Sequence, residues 1–151
     1  MNTNIIYKLY KLERMLHLLK FPILPRLIYC FIRIFLGAVI PYTAQIGKDT
    51  EFLHAGLGVV IHVNAVIGDN VKIMHNVTIG GRGTPKVPVI GNGVFIGTGA
   101  IILGDVEIGN NAMIGANAVV IRSVPPNSVV AGVPAKIVRT SVTAGPQNEA
   151  V

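Results

Sequence analysis

From Ile90 to Val120 a large aliphatic residue returns at every sixth position, through Ile96, Ile102, Ile108 and Ile114. An amphipathic helix repeats near 3.6 residues and a half-buried strand at 2, so a period of six belongs to a higher-order repeat. Gly follows the aliphatic at Gly91, Gly97, Gly109 and Gly115, and a smaller apolar residue stands four places after the aliphatic at Ala100, Val106, Ala112 and Ala118. The repeat predicts a parallel β-helix with three short faces per coil. Each aliphatic points into a narrow prism, and each Gly opens a corner where positive φ is easily reached.

The same period locates two interruptions. It starts at Ile46-Gly47, reaches Phe52, and resumes only at Ile61, so three residues are inserted between Phe52 and Ile61. Ile67, Ile73 and Ile79 restore it, and Ile90 follows after five further extra residues within Gly80 to Val89. Insertions in a solenoid are pushed outward as corner loops, where binding groups usually sit. After Val120 the pattern loosens through Pro125-Pro126 and Val133-Pro134, and Ile137 and Val138 are expected to cover the last coil, which would otherwise be an open strand edge.

Upstream, Ile5, Leu9, Leu12, Leu16 and Leu19 are at helical spacing with Lys and Arg between them, which predicts an amphipathic helix over residues 4 to 20. Residues 21 to 40 are more apolar, but Pro22, Pro25, Arg26 and Arg33 interrupt them, so the expectation is one or two short helices packed on the coils or on a neighbouring subunit. The chain thus divides into a helical segment at 1–40, a β-helix at 41–140, and an aperiodic tail at 141–151 expected to be disordered.

Hydrophobic residues make up 51% and charged residues 13%, a balance that an aliphatic at every sixth position would produce. The net charge is +6, with Lys8, Lys11, Arg14, Lys20, Arg26 and Arg33 in the first 40 residues. Such a bias suits a nucleic acid, an anionic membrane surface or a phosphorylated ligand. No basic recognition helix or alternating aromatic platform is present, so nucleic acid is not the expected partner. Surface attachment of the basic amphipathic helix to the inner face of a membrane stays open. The single cysteine, Cys30, rules out an internal disulfide and any CxxC metal site, and is expected to be buried. No convincing secretory signal precedes the apolar run, so the cytoplasm is the default location. The Asn76-Val-Thr78 sequon lies inside a coil and is discounted.

Three of the four histidines, His54, His62 and His75, lie beside the interruptions, and the fourth, His17, is on the first helix. Threading places His54 and His75 on one corner in successive coils, with His75 pointing to solvent, and His62 on the next corner beneath the loop 80–89. A neutral His takes a proton from an alcohol and returns it to a leaving group. Asp49, Glu51 and Asp69 form no ligand spacing with these histidines, so no metal is expected. Gly80-Gly81-Arg82-Gly83 precedes no helix, which makes it a weak phosphate cradle.

Residues 33 to 140 resemble the hexapeptide-repeat acyltransferases that fold as a left-handed parallel β-helix. The likeness rests on VTIGG at 77 to 81, IILGD at 101 to 105 and VPPNSVVAGVPAKIV at 124 to 138, in that order. It is greatest to the serine O-acetyltransferase branch and its relatives that acetylate bacterial surface polysaccharides. The resemblance implies a homotrimer with acetyl-coenzyme A between neighbouring prisms, and the left-handed coil that breaks the usual crossover rule. The family's Asp-His before the first insertion meets Leu53-His54 or His54-Ala55, depending on where the gap is put. In the ungapped register anchored on Gly58-Val59-Val60 the catalytic His falls on Ala55, and the family's Arg-His pair in the second loop has no His counterpart in GRGTPKVP. Gly56 to His62 resembles shorter relatives more closely, which makes His62 the leading base and His54 the second. Gly97, Thr98, Gly99 and Ala118 are the expected bed for the pantetheine arm, with Arg122, Lys136 and Arg139 as candidates for the coenzyme's phosphates. The expected activity is acetyl transfer to a sugar hydroxyl of a surface polysaccharide or its precursor, with serine as the alternative acceptor. A non-catalytic trimeric scaffold is the alternative from another class.

Overall fold

The computed structural model describes residues 5–83 and 85–140, so the expected tail at 141–151 lies outside the described residues. Helices α1 (Ile5–Leu18) and α2 (Leu24–Phe35) precede a stack of short strands. The first face stacks Gln45–Ile46, Val66–Ile67, Val89–Ile90 and Glu107–Ile108, all in parallel. The second stacks Glu51–Phe52, Lys72–Ile73, Phe95–Ile96, Met113–Ile114 and Ser128–Ala131 in parallel, with Lys136–Thr140 added antiparallel at its end. The third stacks Val60–Ile61, Thr78–Gly80, Ile101–Leu103 and Val119–Val120. This is the three-faced parallel β-helix that the six-residue period predicts. The interruptions leave the register intact: Val66 pairs with Val89 across the long loop just as Val89 pairs with Glu107 without one.

Phe52, Ile61, Ile73, Ile79, Ile90, Ile96, Ile102, Ile108, Ile114 and Val120 are buried along the prism axis, and Ala65, Val71, Val77, Val94, Ala100, Val106, Ala112 and Ala118 pack between them. The post-aliphatic glycines act differently from expectation. Positive φ falls two places later, at Asp49, Asn70, Gly93, Gly99, Asn111 and Asn117. The post-aliphatic Gly is required by the next coil instead. A Cβ on Gly91 would lie 2.8 Å from the Ile108 carbonyl oxygen, and one on Gly97 would lie 2.7 Å from the Ala116 nitrogen. Between the first and second faces, side chains tie the corners together. The Asp69 carboxylate accepts from the Lys48 amide at 2.7 Å, Asn92 accepts from the Asp69 amide at 2.8 Å, and Asn110 accepts from the Asn92 amide at 2.8 Å.

Helix α1 closes the first coil. The Tyr10 hydroxyl donates to the Ala44 carbonyl at 2.7 Å and accepts from the Ile46 amide at 3.1 Å, while Tyr7 donates to the Gly47 carbonyl at 2.7 Å. One Arg14 nitrogen donates to the carbonyls of Tyr42 and Ala44 at 3.1 and 2.8 Å. These side chains satisfy backbone groups that would otherwise form an open edge. The buried face of α1 is therefore Ile6, Tyr10 and Glu13, and the expected stripe is split, with Leu9 packed against the core, Leu16 half-buried, and Ile5, Leu12 and Leu19 exposed. The helix ends at Lys20 with φ 61°, where the Lys20 and Phe21 amides donate to the carbonyls of His17 and Leu16 in a Schellman arrangement. Pro25 stands in the first turn of α2, where its missing N–H costs nothing. Cys30 is exposed, contrary to expectation, because α2 buries only Pro25 and Ile32.

At the other end, Ile137 and Val138 stay exposed and do not cover the coil. Backbone pairing closes it instead. The Val124 amide donates to Glu107, and Val119 exchanges bonds with Gly132 and Ala135. No helix among the described residues is long and apolar enough to cross a membrane.

Candidate active site

The first insertion forms a tight turn, Leu53–Gly56, in which His54, Ala55 and Gly56 have φ of 52°, 54° and 62°. Two consecutive non-glycine residues in the left-handed region cost of order 1–2 kcal/mol each, so packing must hold them there. Part of the insertion folds inward and not out: Gly56 is buried, and a Cβ on it would meet Ile6 of α1 at 2.9 Å. The turn thereby carries His54 onto the corner between the second and third faces. His75 occupies that corner one coil on, and the two rings meet edge to face with centroids 4.9 Å apart.

His75 does not simply point to solvent. It is half-buried, and its Nδ1 is enclosed with no hydrogen-bond partner among the described residues. The column continues upward, since the Gly99 amide donates to the His75 carbonyl at 3.0 Å and the Asn117 amide to the Thr98 carbonyl at 2.8 Å. The expected pantetheine bed at Gly97, Thr98 and Gly99 thus stands on the same corner as His54 and His75. Ala118 differs: its methyl is buried inside the prism, its amide donates to Gly115, and its carbonyl accepts from Ile101.

His62 occupies the next corner, between the third and first faces, where its amide donates to the Ile79 carbonyl at 2.8 Å. Its Nδ1 accepts from the Asn64 amide at 3.1 Å. That bond places the proton of neutral His62 on Nε2, so the ring presents a donor to solvent. The second insertion rises from this corner. Lys86 there pairs with Asp105 at 2.8 Å, and Arg82 folds over Gly104, whose Cβ would meet it at 3.1 Å. The contact with Asp105 raises the Lys86 pKa. Thr84 of this loop lies outside the described residues. Arg122 is exposed on the same corner two coils further, and Lys136 and Arg139 are exposed on the terminal antiparallel strand. The structure therefore joins His54 with His75, and separates both from His62, Lys136 and Arg139.

Among the described residues no group of three His, Cys, Asp or Glu side chains converges to hold a metal. Two hollows, of about 590 and 390 Å³, lie along α1 and at the α1–α2 turn, and neither is lined by His54, His62 or His75.

Residues 88–122 match the family described as bacterial transferase hexapeptide (six repeats). Those residues lie within the coil stack and carry its uninterrupted six-residue period. The chain is 43% identical over 138 residues to a serine acetyltransferase of Staphylococcus epidermidis, covering 89% of this chain and 61% of the relative. It is 44% identical over 114 residues to that of Mycobacterium tuberculosis, covering 74% and 49%. A solved serine acetyltransferase in complex with CoA superposes with a TM-score of 0.84 at 35% identity, covering 91% of this chain and 58% of that one. The chain spans about half to three-fifths of the length of these hexapeptide-repeat relatives. All of them bear the serine acetyltransferase name, and none names a polysaccharide acceptor.

The unforeseen parts of the site are polar. Nothing in the period flags the enclosed Nδ1 of His75 or the amide held by His62. The donor to His62 is the backbone amide of Asn64, which any residue but proline would supply, so no residue pattern announces that bond.

Proposed function

We propose that this chain is an acetyl-coenzyme A-dependent O-acetyltransferase acting as a homotrimer. The observation that carries the reading is the likeness, over nine-tenths of the chain, to the serine acetyltransferase solved with CoA. The acceptor hydroxyl attacks the thioester carbonyl, the new C–O bond forms as the C–S bond breaks, and the proton taken by the base passes to the departing thiolate. His54 is the base, because its ring lies on the His75 ring in the same column as Thr98 and Gly99. His62 stands on the next corner, so it serves this centre from the neighbouring prism across the cleft, where its Nε2–H donates to the acceptor or the developing oxyanion. Gly97 and Gly99 let the pantetheine arm approach the backbone, and Arg122, Lys136 and Arg139 take the coenzyme's phosphates. Each corner of one prism is convex, so a cleft for the coenzyme requires a second prism beside it.

Serine is the acceptor that the relatives favour, ahead of the sugar hydroxyl. A sugar hydroxyl remains the second reading because, in the ungapped register, Ala55 and not His54 meets the family's catalytic His, and the loop 80–89 holds no His. Thiol release from acetyl-coenzyme A, measured with serine and with a panel of sugars, separates the two. His54→Ala is expected to lower kcat by about 10²–10⁴-fold, with His75→Ala also impaired. Full rates in His54→Ala, His62→Ala and His75→Ala together would overturn the mechanism, and the absence of coenzyme binding by calorimetry would leave a scaffold.

A further inference from the structure

The α1–α2 hairpin carries an apolar surface that the coils do not cover. Leu18 is 67% exposed, Ile23 65%, Ile34 73% and Phe35 72%, and Leu19, Phe21, Leu24, Leu27 and Phe31 are also exposed. At the turn, His17, Lys20 and Arg26 line a hollow of about 390 Å³ together with Phe21, Pro22, Pro25 and Tyr42. The turn is held in one shape by the Schellman closure at Lys20 and by the His17 ring, which packs on Tyr42 at 4.7 Å. A rigid projection with apolar side chains at its rim and cations within it is amphipathic along its whole length.

We infer that the α1–α2 hairpin docks on the surface of an anionic phospholipid bilayer, with a headgroup phosphate held by His17, Lys20 and Arg26 and with Phe21, Ile23 and Leu24 entering the acyl boundary. Charge decides between occupants. Residues 1 to 40 contain six Lys and Arg and a single acid, Glu13, which is buried and whose pKa burial pushes up to about 8. The hairpin is therefore uniformly cationic at neutral pH. A second copy of this face would bring like charge against like charge, whereas an anionic surface complements it and the apolar rim alike. The helices of 14 and 12 residues are too short to span, so the mode is lying on the surface. The inference is independent of the acetyl-transfer reading, since none of these residues belongs to the proposed site.

Flotation of the full chain with vesicles tests it. Binding is expected to phosphatidylglycerol-containing vesicles and not to pure phosphatidylcholine, and to weaken with salt. Lys20→Glu combined with Arg26→Glu should lower partitioning at least about 25-fold, at roughly five-fold for each cation lost. Phe21→Ser combined with Ile23→Ser should also lower it. Far-UV circular dichroism and thiol release should be unchanged in both variants. Equal binding to both vesicle types, no binding at low salt, or retained binding in the charge-reversed variant would overturn the proposal. So would a change of oligomeric state in the serine variant, which would make the face a contact between subunits.

Discussion

Glu13 buries both carboxyl oxygens under α1 without a hydrogen-bond partner among the described residues, and desolvation raises its pKa from 4.5 to about 8. Below pH 4.5 the folded and unfolded chains both hold the proton. Between 4.5 and 8 the unfolded chain releases it while the folded chain keeps it, so stability falls as pH rises, by on the order of 5 kcal/mol across the window. Glu13→Gln keeps the volume and removes the titration. Thermal unfolding of the wild type should therefore lose stability from pH 5 to 8 relative to Glu13→Gln, and parallel pH profiles for the two would contradict this. Leu and Ile spacing alone placed a different face of α1 inward, because hydropathy gives no weight to the hydroxyls of Tyr7 and Tyr10. Those hydroxyls serve carbonyls 34 and 40 residues away, which no local pattern encodes.

Helix α1 is a lid whose underside is polar at the points that matter. Tyr10→Phe preserves the ring and leaves the Ile46 amide without its acceptor, while the Ala44 carbonyl keeps Arg14, at a cost of about 1–3 kcal/mol. Urea unfolding should show that loss, and a shift below about 0.5 kcal/mol would mean that other groups supply the closure. The strand elements were legible from the six-residue period because one side chain in each unit must fill the axis. The two insertions were legible as failures of that count. Their conformations were not, because the inward fold of Leu53–Gly56 depends on Ile6 of α1, and the terminal strand Lys136–Thr140 pairs antiparallel along the second face where capping by Ile137 and Val138 was expected.

Across the whole molecule each coil touches only its neighbours, so stability is close to a sum of adjacent contacts. Gly91→Ala would press a Cβ against the Ile108 carbonyl at 2.8 Å and the Asn110 nitrogen at 2.9 Å, both backbone atoms with no freedom to yield. It should cost about 3 kcal/mol. Gly80→Ala meets the flexible end of Leu103 at 3.3 Å and the Thr78 methyl at an ordinary 3.9 Å, and should stay within about 1 kcal/mol. Denaturant midpoints of the two variants check the contrast, and equal losses would refute backbone contact as the reason for the repeated Gly. The candidate site was half legible at this scale: the repeat put His54 and His75 on one corner, but the bond that orients His62 lies below the resolution of any period.

The closed lower end has a consequence for how the chain is made. Because α1 precedes the coils, the groups that seal the first coil leave the ribosome before that coil does. Each later coil then finds a finished template beneath it, and growth by addition to a sealed base needs no contact with residues still to be synthesised.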